Sequence, residues 1–191
     1  MSHAPHPPVL VVVCGLSFAG KTTLGTAIAS RFKYEQVDVD QTKVRLYGVR
    51  FEEHTLDQDA WNRIYSETDA EIARYLQSGT SVVDASRNFR KQERSSARRI
   101  AEMNGADFLV IYIDIPESVA RERLLANRRD PIRVDWGDFS FDQIVRAMEP
   151  PRADERPLVY HYRDDMDRWM SEHAAQLAPR SRTAGCTGDP C

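Results

Sequence analysis

The sequence predicts an α/β fold around a mainly parallel sheet, and three observations carry that prediction. Short strand-like runs alternate with helix-like stretches along the chain, the arrangement that crossover connections impose on parallel strands. The strand-like runs lack clean polar alternation, as expected of strands covered on both faces. The first of them, Val9–Cys14, leads directly into the glycine-bearing stretch Gly15–Thr22 and then into a helical pattern.

Taken in order, Val9–Cys14, Gln36–Val39, Ser81–Asp84 and Phe108–Asp114 are short and rich in β-branched or aromatic residues, and they are the expected strands. Leu24, Ala27, Ile28 and Phe32 recur at three- and four-residue spacings and mark the buried face of one helix. Trp61, Ile64, Tyr65, Thr68, Ile72 and Leu76 mark a second. Lys91–Asn104, closed by Gly105, and Glu117–Arg128 fit helices, and Met166, Trp169, Met170, His173 and Leu177 line a last one. These stripes read as core packing and not as cofactor contacts. The segments 1–8 and 179–191, rich in Pro or in Pro, Gly, Ser and Thr, read as flexible ends around one domain at 9–178.

The chain has 191 residues, 41% hydrophobic and 29% charged, with a net charge of −3. Those values exclude disorder, collagen-like repeats and a disulfide miniprotein. The near-neutral charge predicts no global attraction to nucleic acid or to anionic membranes. The apolar run at Val9–Cys14 is too short to span a bilayer, so no membrane segment is expected. Cys14, Cys186 and Cys191 have neither metal-ligand nor disulfide spacing, and a reducing cytoplasm is the expected setting.

Chemistry enters at Gly15-Leu16-Ser17-Phe18-Ala19-Gly20-Lys21-Thr22, which matches G-x-x-x-x-G-K-[ST] between a strand and a helix. The glycines let backbone N–H groups wrap a phosphate, and the helix that follows offers its positive end to the same anion. Gly15, Ser17, Ala19, Gly20, Lys21, Thr22 and Thr23 are therefore the expected nucleotide-binding residues. Lys21 is expected on the β- and γ-phosphates of ATP, and the Thr22 hydroxyl on Mg²⁺. The fold class sharpens to a P-loop NTPase three-layer sandwich with a small helical lid. Asn-Lys-x-Asp and Asp-x-x-Gly, the marks of a GTPase, are absent. Asp84, at the end of the third expected strand, is placed like a Walker B aspartate that holds the metal directly or through water and is the expected second metal residue; the alternative is that it caps the next turn. It precedes Ala85 and not the glutamate typical of motor ATPases.

At Val37-Asp38-Val39-Asp40 two carboxylates close the second expected strand. They share a side if the strand runs through both, and separate if it stops near Asp38 and the chain turns. Asp40, nearer the strand end, is the expected general base for an acceptor hydroxyl. The alternative is a solvated turn in which one carboxylate caps a helix beginning at Gln41. Arg121, Arg123, Arg128, Arg129 and Arg133 crowd a helix end and the loop after it. Arg128 and Arg129 are the first candidates for a lid whose guanidiniums meet transferred charge, Arg133 follows them, and Arg121 reads as surface. Arg87, Arg90, Lys91 and Arg94 form a second basic cluster, read either as an anion site or as a charged helix start.

The succession GLSFAGKT, VDVDQTKVRLYG, SVVDAS, ARERLLANRRD and AMEPPRADE, from Val9 to about Tyr160, resembles the P-loop kinase group that contains zeta toxins, chloramphenicol phosphotransferase and the 5′-kinase domain of polynucleotide kinase. The resemblance implies Asp40 as the catalytic aspartate, Arg128 as the lid arginine and Glu149-Pro150-Pro151 as a loop near the nucleotide base. The group often carries an arginine three residues after the acid, where this chain has Lys43, with Arg45 close by. Lysine is a point charge without the bidentate fork.

The expected function is an ATP- and Mg²⁺-dependent transfer of the γ-phosphate to a hydroxyl of a small-molecule or nucleotide-like acceptor. Its rivals are a polynucleotide 5′-hydroxyl kinase and a regulatory ATP-binding protein without an acceptor. The expected acceptor pocket is built by Tyr47–Gln58 and the helix after it.

Overall fold

The computed structural model describes residues 6–48, 56–131 and 137–178, the side chains of 137–140 excepted. Expectations for 1–5, for most of the Tyr47–Gln58 pocket segment, for Arg133 and for the 179–191 tail with Cys186 and Cys191 lie outside the described residues. The element order is β1 (Val9–Cys14), α1 (Lys21–Phe32), β2 (Glu35–Val37), α2 (Val39–Tyr47), α3 (Gln58–Gln77), β3 (Val82–Asp84), α4 (Lys91–Met103), β4 (Asp107–Asp114), α5 (Glu117–Arg129), α6 (Gly137–Ala147), β5 (Leu158–His161), α7 (Met166–Glu172) and α8 (Ala174–Leu177). The five strands form one parallel sheet in the order β2-β3-β1-β4-β5. With helices on both faces, this is the three-layer α/β sandwich of P-loop NTPases.

The apolar run of β1 has no polar face because the sheet has two cores. Val9, Val11 and Val13 point into a cluster with Leu24 and Ile28 of α1, Leu124 of α5 and Trp169 of α7. Leu10, Val12 and Cys14 point the other way, onto Ile72 and Leu76 of α3 and Ala97 and Ala101 of α4. Burial of each such aliphatic side chain contributes about 1.5–3 kcal/mol. On the first face α1 lies unusually close to β3: a Cβ on Gly25 would stand 2.7 Å from the Ala85 Cβ.

Several element ends differ from expectation for identifiable reasons. β2 stops at Val37, two residues early, because Asp38 takes the N-cap of α2 and its Oδ1 accepts from the Asp40 N–H at 2.8 Å. The helix starts at Val39 and not at Gln41, so Asp40 stands in a first helical turn instead of at a strand end. The expected last helix divides at His173, whose Nδ1 lies 2.9 Å from the Trp169 carbonyl. The elements α6 and β5 and a 3₁₀ turn at Ala153–Glu155 were not expected.

That 3₁₀ turn is fastened to α4 by a buried ion pair. The Arg94 guanidinium donates to Glu155 through Nε at 2.6 Å and Nη2 at 3.0 Å, and through Nη1 to the Asn88 carbonyl at 3.0 Å. Burial opposes the charge on Glu155, but the Arg94 hydrogen bonds outweigh it and hold the carboxyl below its ordinary 4.5. A depressed pKa of this kind stabilises the fold above 4.5 and loses that contribution as pH falls through the folded value.

Glu155→Gln leaves the Arg94 charge buried without its counter-ion, and it should cost about 3–5 kcal/mol in chemical denaturation at neutral pH. The Arg94→Met, Glu155→Leu double variant should recover most of that loss. A single variant as stable as wild type would refute the pair's structural weight.

Candidate functional site

The P-loop leaves β1 at the centre of the sheet, where the connections diverge to the two sides and open α/β folds form their ligand crevice. Gly15 is buried with φ at +147, and a Cβ there would stand 3.1 Å from the Ile113 carbonyl. A side chain at this position is excluded by both conformation and space. Phe18 adopts φ 62 without being glycine, a strain of about 1–3 kcal/mol that surrounding structure must hold in place. Phe18 and Gly20, the latter at φ 103, supply the positive-φ backbone from which anion nests are built.

The loop carbonyls are tied off on the other side. Lys21 Nζ donates to the carbonyls of Gly15 at 3.0 Å and Leu16 at 2.8 Å. Arg123, from α5, donates through Nη1 to the carbonyls of Phe18 at 3.3 Å and Ala19 at 3.0 Å. The Leu24 N–H bonds the Gly20 carbonyl at 3.0 Å, so the N–H groups of Lys21, Thr22 and Thr23 stand ahead of the helix ladder. No acidic residue occupies the first turn of α1, and the positive end of the helix is left uncompensated from within. Thr22 and Thr23 are exposed, while Ser17 is half-buried and Ala19 buried. Arg123 was not among the expected site residues. The signal for it was its register on α5, one turn before Asn127 and Arg128, within the arginine-rich stretch already noticed.

In the first turn of α2, Asp40 is exposed and ion-paired with Lys43, whose side chain is only 4% exposed. The Lys43 ammonium also lies over the Trp61 ring, 5.3 Å from its centroid. Trp61 stacks on Tyr65 at 5.6 Å, and the Arg87 guanidinium lies 5.6 Å from the Tyr65 ring. Cation, indole, phenol and cation thus form a ladder from α2 along α3 to the loop after β3. Asp38 faces inward at the strand-to-helix junction, and burial raises the pKa of its carboxyl.

Asp84 is fully buried. Its Oδ1 accepts from the Ser86 N–H at 3.2 Å and Oγ at 2.9 Å, and its Oδ2 from Arg87 Nε at 3.1 Å and Asn88 Nδ2 at 2.9 Å. These four bonds match the acceptor capacity of a carboxylate. These bonds fix the orientation of the Asp84 carboxylate at the end of β3. Among the described residues no group of three or more His, Cys, Asp or Glu could hold a metal ion by itself.

Arg87 also pairs with Asp69; burial opposes its charge, but Asp84 and Asp69 outweigh that and raise its pKa. Lys91 pairs with Asp154 at 2.9 Å and Arg94 with Glu155. Three members of the second basic cluster are thereby neutralised internally, and Arg90 stands outside these pairs. Arg128 and Arg129 are exposed at the end of α5. Arg121 pairs with Glu117 and Asp142 at 2.8 and 2.7 Å, joining α5 to α6. Glu149 lies against the start of α4: its N–H donates to the Phe89 carbonyl at 2.9 Å, and its Oε2 accepts from the Lys91 N–H at 2.6 Å.

No curated protein matches the sequence. Solved structures match the fold: Chaetomium thermophilum Kti12 in complex with ADP-AlF3 at TM-score 0.71 and 17% identity, covering 88% of this chain and 99% of that one. A gluconokinase from Sinorhizobium meliloti 1021 gives TM-score 0.60 and 22% identity over 90% and 93%. Mycobacterium tuberculosis APS kinase CysC, in complex with AMPPNP and APS, gives 0.62 and 16% over 91% and 98%. Residues 10–151 match the family model for an AAA domain, and with the P-loop kinase architecture around those residues the chain belongs to that family.

Proposed function

We propose that the protein is a kinase that moves the γ-phosphate of ATP to a hydroxyl of a small-molecule or nucleotide-like acceptor. The observation that carries this reading is the P-loop, whose carbonyls are tied off by Lys21 and Arg123 while its N–H groups stand ahead of α1. The solved structures of this fold with AMPPNP or ADP-AlF3 support a nucleotide at that loop.

Gly15, Ser17, Ala19, Gly20 and Thr23 contribute loop and helix N–H groups to the phosphates, and Lys21 turns from the loop carbonyls to the β- and γ-oxygens. Thr22, with phosphate oxygens, would hold the magnesium ion, which supplies charge neutralisation on the transferred group. Asp84, at the end of the strand next to β1, would act on that ion directly or through water. It orients Ser86, whose Oγ accepts from the Val39 N–H at 3.0 Å and so fixes the start of α2. Asp40, one residue on, takes the proton of the acceptor hydroxyl, and the Lys43 ammonium holds its carboxylate in place. Arg128 places its planar guanidinium on the phosphoryl oxygens as charge spreads over them.

A small acceptor is favoured over a polynucleotide, because Asp84, Asp69, Asp154 and Glu155 neutralise most of the basic cluster that could have tracked a phosphate backbone. A screen of hydroxyl compounds for ATP-dependent mass increase tests the proposal. Transfer to none of them, with ATP hydrolysis intact, would place the protein among regulatory ATPases.

Lys21→Ala should weaken ATP binding or abolish turnover while leaving the melting temperature close to wild type, because it removes a cation and no core contact. Unchanged ATP turnover at matched folding would overturn the nucleotide assignment.

Asp40→Asn should lower phosphoryl transfer on the order of 10²–10⁴-fold and spare ATP binding. Asp38→Asn keeps a good N-cap and should be milder. The reverse ranking in single-turnover assays would exchange their roles.

Arg128→Lys keeps the charge but loses the fork, and kcat should fall further than nucleotide affinity does. Wild-type kcat in this variant would return Arg128 to the solvated surface.

A further inference from the structure

Between the loop after β3 and helix α6 lies a crevice of about 360 Å³, lined by Phe89, Arg90, Gln143, Ile144, Arg146 and Ala147. Its size falls within the range of small-ligand sites. The lining combines two guanidiniums, one amide and three apolar side chains, and it holds no carboxylate. Arg90 lies over the Phe89 ring, 5.5 Å from its centroid, and Arg146 is exposed in the last turn of α6.

The walls are held from behind. Asn88 is buried, donates to Asp84 at 2.9 Å, and passes its carbonyl to Arg94. Phe89 accepts from Glu149, two residues beyond α6, which keeps the end of that helix beside the loop. Glu93 Oε2 accepts from the Arg90 N–H at 2.9 Å and fixes the start of α4. Arg87, Lys91 and Arg94 are in ion pairs with carboxylates; Arg90 has the Glu93 carboxylate behind it, but the crevice lining itself brings two like-charged guanidiniums to one small space with no carboxylate between them. An anion between them removes that repulsion, and guanidiniums suit planar or tetrahedral oxyanions through paired N–H donors.

We propose that this crevice is a subsite for an anionic group, phosphate or carboxylate, carried by the hydroxyl-bearing acceptor. Arg90 and Arg146 hold the anionic oxygens, and Phe89, Ile144 and Ala147 pack against the adjoining carbon skeleton. The inference rests on the kinase reading above and narrows its substrate class to acceptors with both a hydroxyl and an anion. Because Arg146 belongs to α6, occupancy also ties that helix to the loop that begins at Asp84.

The test follows backbone amide signals and the Ile144 methyl signal by NMR in the full chain during titration with glycerol 3-phosphate, glycerate or glycerol, with and without ADP and magnesium. The anions, or one of them, should shift Phe89, Arg90 and Ile144, and glycerol should not; response to one anion alone identifies which group is held. Arg90→Gln and Arg146→Gln should each weaken that response roughly tenfold, as expected for loss of a charged hydrogen bond, with ADP affinity unchanged. The proposal is overturned by equal shifts with glycerol, by anion shifts confined to Gly15–Thr22, by no shift with either anion, or by unchanged affinity in both variants. Failure of ADP to shift Gly15–Thr22 would count against the kinase reading and leave the crevice result readable.

Discussion

A carboxylate with no access to water sits at the end of β3, and the arrangement of α2, α3 and α4 around it follows from the need to satisfy it. Removing Asp84 from solvent costs several kcal/mol unless charge and hydrogen bonds replace the water. Ser86, Arg87 and Asn88 supply both, and each is then bound to something further away. Ser86 reaches the first N–H of α2, Arg87 reaches Asp69 on α3, and Asn88 offers its carbonyl to Arg94 on α4. Arg94 in turn holds Glu155. Three helices and the segment after α6 therefore take their positions from one buried charge. Removing that charge would leave Arg87 buried beside Asp69 alone and free the loop that lines the crevice.

The phosphate side is held by packing where the acceptor side is held by charge. Val12 pairs with Asp84 across β1 and β3, so the P-loop leaves its strand two residues further along than the loop after β3 leaves the neighbouring one. Both faces of β1 are buried, and α1 comes close enough to β3 that only glycine fits at 25. Such a base can hold Phe18 in a strained conformation, and Arg123 adds a clamp from the opposite wall. Cys14, just before the loop, has a thiol pushed up to about 12 by its burial. It is part of the core and not a nucleophile.

Legibility from sequence followed the kind of force at work. β1 showed its ends to the residue, and β4 to within one, because continuous apolar runs record two-sided burial. The P-loop was legible because its geometry requires glycine and lysine at fixed spacing. The start of α2 was not: its buried residues are Val39, Thr42 and Lys43, a face with too little apolar character to show a period. Nor was β5, an edge strand with one buried residue in four. Asp84 was visible as a strand-end acid, but its commitment to Ser86, Arg87 and Asn88 depends on how the chain folds back over four residues, with Asn88 at φ 75. Arg123 looked like its neighbours on α5, and only the packing of that helix against the P-loop distinguishes it.

The same folding back sorts the cations. Composition counts 26 basic residues against 29 acidic ones, and nothing in that balance separates a guanidinium that supports the fold from one that meets a ligand. Burial and partners do. Arg87 and Arg94 are enclosed with carboxylates and serve as struts. Lys43 is enclosed against an indole and pairs with the exposed Asp40. That acid stands in the first turn of α2, and the cation beside it is almost wholly enclosed. A lysine at this position meets carboxylates as a point charge, without the planar fork that an arginine would bring. Arginines whose fork is not committed to a buried carboxylate are the ones suited to paired hydrogen bonds with an oxyanion.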